Sequence, residues 1–143
     1  MKKLLLPLAA VMAAQPVFAQ NISASGTQGY SCTVVGNNSI SLVSTGQNQL
    51  TATGAGSIYQ NGATDYTLSA VTATGPDANK QATVSAAGST LSVSATTAGG
   101  ATQQITGELS ENVTYTVTVS SSDGILSAGN YSASADLTCT AAP

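Results

Sequence analysis

The chain has no histidine and no tryptophan, its only basic residues are Lys2, Lys3 and Lys80, and just 6% of it is charged. Each absence removes a class of function. Without histidine there is no general base of the usual kind, no proton switch near neutrality and no imidazole for a metal. Serines are abundant, but none has a histidine partner, and Lys80 beside Asn79 belongs to no Ser-x-x-Lys arrangement. Nucleophilic catalysis therefore has no visible machinery, and no catalytic residue is assigned. Beyond residue 19 one lysine stands against six carboxylates, Asp65, Asp77, Glu108, Glu111, Asp123 and Asp136. That balance repels phosphate backbones and excludes nucleic acid as a partner. Glu108 and Glu111, three apart, could pair as in a glycoside hydrolase, but around a predicted strand junction they read as a solvated connection. Asp65, Asp77 and Asp123 lie near turns without the spacing of an EF-hand loop or a calcium-binding nonapeptide, so neither a metal nor a cofactor is expected.

Long apolar runs are also missing, save at the start. "MKKLLLPLAAVMAAQPVFAQ" opens on a basic pair, continues apolar and reaches the small-residue pattern Val17-Phe18-Ala19, which predicts a secretory signal over residues 1–19. Pro7, Gln15 and Pro16 interrupt it, and it is too short to span a bilayer comfortably, so no membrane span is expected after cleavage. Residues 20–143 then form one domain, without methionine or phenylalanine. Cys32 and Cys139 are the only cysteines and lie near its two ends. In an exported chain they point to a disulfide, with two buried free thiols as the alternative.

What is present is alternation. In "GNYSASADLTC" (129–139) Tyr131, Ala133, Ala135, Leu137 and Cys139 share one parity, and serine, threonine and aspartate the other, the period of a half-buried strand. Similar strands are predicted at 30–35, 39–43, 49–53, 56–60, 65–73, 81–86, 89–96, 103–109 and 112–120. "NVTYTVTVS" (112–120), with Val113, Tyr115, Val117 and Val119 on one face, should be central. Turn signals such as Gly54-Ala55-Gly56, Asn61-Gly62, Gly75-Pro76-Asp77 and Asp123-Gly124 separate them. No helical period is sustained, and "TATG" at 51–54 and 72–75 starts no repeat, which leaves an all-β antiparallel sandwich rather than a solenoid. The Asn-x-Ser/Thr triplets at Asn21, Asn37, Asn112 and Asn130 are chance products of a Ser/Thr-rich chain. Tyr30, Tyr66, Tyr115 and Tyr131 share the apolar parity and are expected in the core; Tyr59, beside the Asn61-Gly62 turn, is the candidate for ligand contact.

The closing stretch "LSAGNYSASADLTCTA" resembles the last-strand signature of bacterial spore coat protein U type and related chaperone–usher pilin domains, in which Gly-x-Tyr opens a final alternating strand; here it is carried by Gly129, Tyr131 and Leu137. "YSCTVVGNNSISLV" is similar to the opening of those domains and "GSIYQNGATDYTLS" to their middle hairpin. The resemblance implies an immunoglobulin-like, pilin-like β-sandwich in the bacterial periplasm or on the cell surface. It further implies a structural subunit of a fibre or pilus assembled by donor-strand exchange, with further copies of itself, a periplasmic chaperone and an outer-membrane usher as partners. Three features differ: the segment Gln20–Ser31 is short and weakly apolar in its alternation (Ile22, Ala24, Gly26, Gln28), a phenylalanine-glycine pair after the first cysteine is missing, and the cysteines lie far apart. The alternative is a self-complete secreted module binding a carbohydrate or a protein, with Tyr59 at its contact.

Overall fold

The computed structural model describes Ser25, residues 27–36 and residues 40–143. The signal segment and the alternation at Ile22, Ala24 and Gly26 lie outside the described residues. Among those described there are eleven strands and no helix: β1 (Cys32–Gly36), β2 (Val43–Gly46), β3 (Gln49–Asn61), β4 (Thr64–Leu68), β5 (Thr72–Thr74), β6 (Lys80–Ala87), β7 (Ser92–Thr96), β8 (Ala101–Ile105), β9 (Glu108–Ser121), β10 (Ser132–Ser134) and β11 (Leu137–Ala141). All pairing is antiparallel. One layer has the order β1-β3-β9-β6-β7, with β2 also on β3; the other is built from β11-β4-β8 and the short pair β10-β5. The result is the expected all-β sandwich.

Alternation decides which side chains fill it. Val113, Val117 and Val119 of β9, Ala82, Val84 and Ala86 of β6, and Val93 and Ala95 of β7 are buried against Tyr66 and Leu68 of β4 and Ile105 of β8. Their threonine and serine neighbours point outward, as a sheet with one wet face requires. As predicted, β9 is central, lying between β3 and β6.

Several strand limits differ from the sequence reading, each for a physical reason. The predicted turn at Gly54-Ala55-Gly56 is absent: residues 49–61 form one strand, with Gly54 opposite Tyr115 and Gly56 opposite Val113. The glycine makes room, because a Cβ on Gly56 or Gly36 would strike the Tyr115 ring, whose hydroxyl donates to the Val35 carbonyl at 3.1 Å. Conversely, the single strand predicted at 103–109 breaks at Gly107, which has φ +80° and turns β8 into β9. The strand predicted at 65–73 divides into β4 and β5, and the last strand into β10 and β11. Leu68 pairs Leu137 and Thr72 pairs Ser134, so four steps on one chain face three on the other, a one-residue bulge. There the Asp136 amide donates to Ser69 Oγ at 2.9 Å and the Ser69 amide to the Asp136 carbonyl at 2.9 Å. Finally, the strand expected at 39–43 begins only at Val43, and Ser39 lies outside the described residues.

Candidate functional site

Cys32 and Cys139 form a disulfide with Cα atoms 6.2 Å apart. Among the described strands it joins β1, which pairs with β3 alone, to β11, which pairs with β4 alone, so the bond links the two layers where no ladder between described strands does. Beneath it lies the polar part of the core. Cys32 is opposite Gln60 and Cys139 opposite Tyr66, and both partners are fully buried. Gln60 Nε2 donates to the carbonyls of Ile105 (3.1 Å) and Gly107 (2.8 Å), pinning the β8–β9 turn. Gln60 Oε1 and the Tyr66 hydroxyl have no partner among the described groups. Burial first, then the nearby Tyr30 and Glu111, pushes the Tyr66 phenol above its usual range. Nothing in the alternation flagged Gln60, because its position reads as one more polar residue in a polar strand.

Away from the disulfide the lips β1 and β10–β11 part, and an open groove of about 1120 Å³ runs between them. One lip is Val34, Gly36 and Ile40–Leu42; the other is the stretch from Gly129 to Thr138; Leu50, Ala52, Leu68, Val84, Tyr115 and Val117 form the floor. The core reaches the surface here. Val34, Ile40, Leu42, Leu50, Tyr115, Tyr131, Ala133, Ala135 and Leu137 pack on the buried cluster yet are only half-buried. Burial raises the Tyr115 phenol above its ordinary range. The groove-side edges of β1, β10 and β11 pair with no described strand, leaving their outward N–H and C=O groups available for one more strand.

Gly129, Tyr131 and Leu137 come together on this lip. Gly129 has φ +151° and sits on the Pro76 ring, where a Cβ would not fit; Tyr131 lies over Gly75, also at φ +151°, and its hydroxyl donates to the Ser127 carbonyl at 2.6 Å. The tyrosine thus fixes the corner from which the last strand starts. Asp77 secures the same corner: its carboxylate accepts from the amides of Asn79 (2.7 Å) and Ser127 (3.3 Å). These bonds, the Asn79 amide's first, hold the Asp77 carboxyl below its usual range. A smaller cavity of about 360 Å³ continues from the groove's mouth, lined by Leu50, Gly129 and Tyr131 together with Ile125 and Leu126.

The other candidates separate. Asp77 and Asp123 meet through Asn79, whose side chain donates to Asp123, while Asp65 stands in β4 opposite Thr140. No three metal-type side chains cluster among the described residues. Glu108 and Glu111 both belong to β9, and Glu111 corrects the expectation of a solvated connection: its carboxylate accepts from the amides of Thr90 (2.9 Å) and Leu91 (2.8 Å) and closes the β6–β7 turn. Of the tyrosines expected inside, Tyr66 is there, Tyr115 and Tyr131 line the groove, and Tyr30 is 44% exposed. Its ring lies by Gly62 and its hydroxyl is 2.9 Å from Thr64 Oγ1, because residues 29–31 run past the end of β3 rather than over the core. Tyr59 is also exposed, on the outer face of β3 opposite Thr33, and lines neither cavity. No protein-family model and no curated protein matches this chain. No helix among the described residues is long and apolar enough to cross a membrane. The disulfide fits an oxidising compartment.

Proposed function

We propose that the chain is a secreted structural subunit of a bacterial surface fibre, an immunoglobulin-like sandwich of the pilin kind that lacks one strand and receives it from another copy. The observation that carries this reading is the open groove, floored by core side chains, between strand edges that pair with no described strand. An extended segment laid there would complete the main-chain ladder and cover the half-buried floor, the β-augmentation mode of recognition. The Tyr131 corner, with its hydroxyl bonded four residues back, is in keeping with an immunoglobulin-like topology.

Length and direction favour the N-terminal segment as the donor. The lip from Gly129 to Thr138 is ten residues, about 33 Å of strand, and residues 20–28 supply about 30 Å. Beyond Gln28 the chain is tied to its own body: the Asn61 side chain accepts from the Ser31 amide (2.7 Å) and donates to the Gly29 carbonyl (2.9 Å). Gly29 and Ser31 therefore stand at the disulfide end of the body, just ahead of β1. The groove stops at Val34 and Thr138, short of the disulfide, and is open at Gly129. A donor whose body stands at the open mouth runs antiparallel to the last strand and makes a head-to-tail fibre. A periplasmic chaperone and an usher would protect and order such a subunit, since an unpaired edge beside open core is prone to aggregate.

The test is to concentrate the mature chain and the same chain lacking residues 20–28, and run both unboiled on a denaturing gel. The reading expects a ladder from the first and none from the second. A heat-stable monomer from the intact chain would favour the self-complete module instead.

A further inference from the structure

The two ends of the molecule carry apolar groups that its own fold leaves uncovered. At the disulfide end Tyr30 is 44% exposed, held in place through Thr64 Oγ1 at 2.9 Å and by its ring against Gly62. At the other end Ile125 is 65% exposed beside the small cavity that it lines with Leu50, Leu126 and Tyr131. The thirteen residues of β3 separate these ends, about 40 Å along the strand, so Tyr30 cannot reach its own cavity.

We propose that Tyr30 of one copy packs into the cavity at the groove mouth of the next, against Ile125 and Leu126, forming a body-to-body contact additional to the inserted strand. The inference rests on the fibre reading above and commits to a second copy as the occupant. Chain length places the contact: with residues 20–28 filling the groove, Gln28 lies at the mouth near Gly129, and Tyr30 follows two residues on, about 7 Å further. That step crosses from the groove into the adjoining cavity, which shares Leu50, Gly129 and Tyr131 with it. The mouth is held by hydrogen bonds. The Leu126 amide donates to the Gln47 carbonyl at 3.1 Å, and Asp77 and Tyr131 grip Ser127 from either side. Tyrosine suits the position, since its hydroxyl stays with Thr64 while the ring offers apolar area at little entropic cost. The contact would set the angle between neighbouring subunits, which a flexible donor alone leaves free.

The mature chain carrying photoreactive p-benzoylphenylalanine at position 30 is irradiated at high concentration and digested. A cross-link to residues 122–131 of a second copy is expected; a cross-link elsewhere, a purely intrachain product or none overturns the proposal. Ile125→Ser should weaken association of intact chains about tenfold, the loss of one buried aliphatic contact. The same variant, without residues 20–28, should bind a peptide of residues 20–28 as tightly as its parent. Equal association of the Ile125→Ser and unaltered chains would also overturn the contact. If the peptide binds neither chain the fibre reading itself fails, whereas peptide binding without the cross-link removes this contact alone.

Discussion

At the scale of single residues, the polar groups that secure the turns and the one left inside the core behave oppositely. Glu111 and Asp77 spend their oxygens on backbone amides that would otherwise be unpaired in turns. Tyr66 is different, because its fully buried hydroxyl has no partner among the described groups. Such a group costs about 1–3 kcal/mol relative to a satisfied one. Tyr66→Phe should therefore raise stability by about 1 kcal/mol, read as a higher urea midpoint at neutral pH. The same substitution has a pH signature. Burial raises the Tyr66 phenol above its ordinary value, so the unfolded chain loses that proton first as pH rises. Stability then falls with increasing pH from about 10 upward. The phenylalanine variant should show a shallower alkaline decline, though not a flat one, because Tyr115 is raised as well. A variant less stable than the parent at pH 7 would mean that the hydroxyl is satisfied.

Among the elements, long alternating runs were readable from sequence and their interruptions were not. Val113, Val117 and Val119 identify β9 because all three are buried, and Val117 lies between the buried Ala52 of β3 and the buried Val84 of β6. The Gly54-Ala55-Gly56 stretch misled, since a glycine such as Gly56 that clears space for a ring across the sheet looks the same in sequence as one that turns the chain. The break at Asp136 was invisible for a similar reason: it depends on Ser69, far away in the chain, offering a hydroxyl to the bulge. The groove was legible only in hindsight, through the alanines at 133 and 135 facing a floor they do not cover. The cysteines were plainer, since their inward parity at the two ends of the domain left one another as the natural partner. Their bond closes a separation of 107 residues between strands of different layers. Cys32→Ala with Cys139→Ala should cost about 4–5 kcal/mol on a chain-entropy account, measured by urea denaturation. A loss near zero would show that β1 and β11 are held together by packing alone.

On the scale of the whole molecule, the charge and the groove point the same way. Six carboxylates against Lys80 past residue 19 disfavour polyanions, while a trough with an apolar floor and polar rims suits an extended, uncharged segment, and residues 20–28 contain no charged side chain. Of the alternating set Ile22, Ala24, Gly26 and Gln28, only Ile22 is both large and apolar, so most of the apolar area gained on docking falls to it. The central claim, that this sandwich is one strand short, is tested most directly by thermal unfolding of the chain lacking residues 20–28 with increasing amounts of a peptide of that sequence. The account predicts a saturable rise in melting temperature with the native peptide and a much smaller one with the Ile22→Asp peptide, as expected when a ligand binds only the folded state. A melting temperature unmoved by millimolar native peptide, in a chain that is already folded and monomeric, would contradict it.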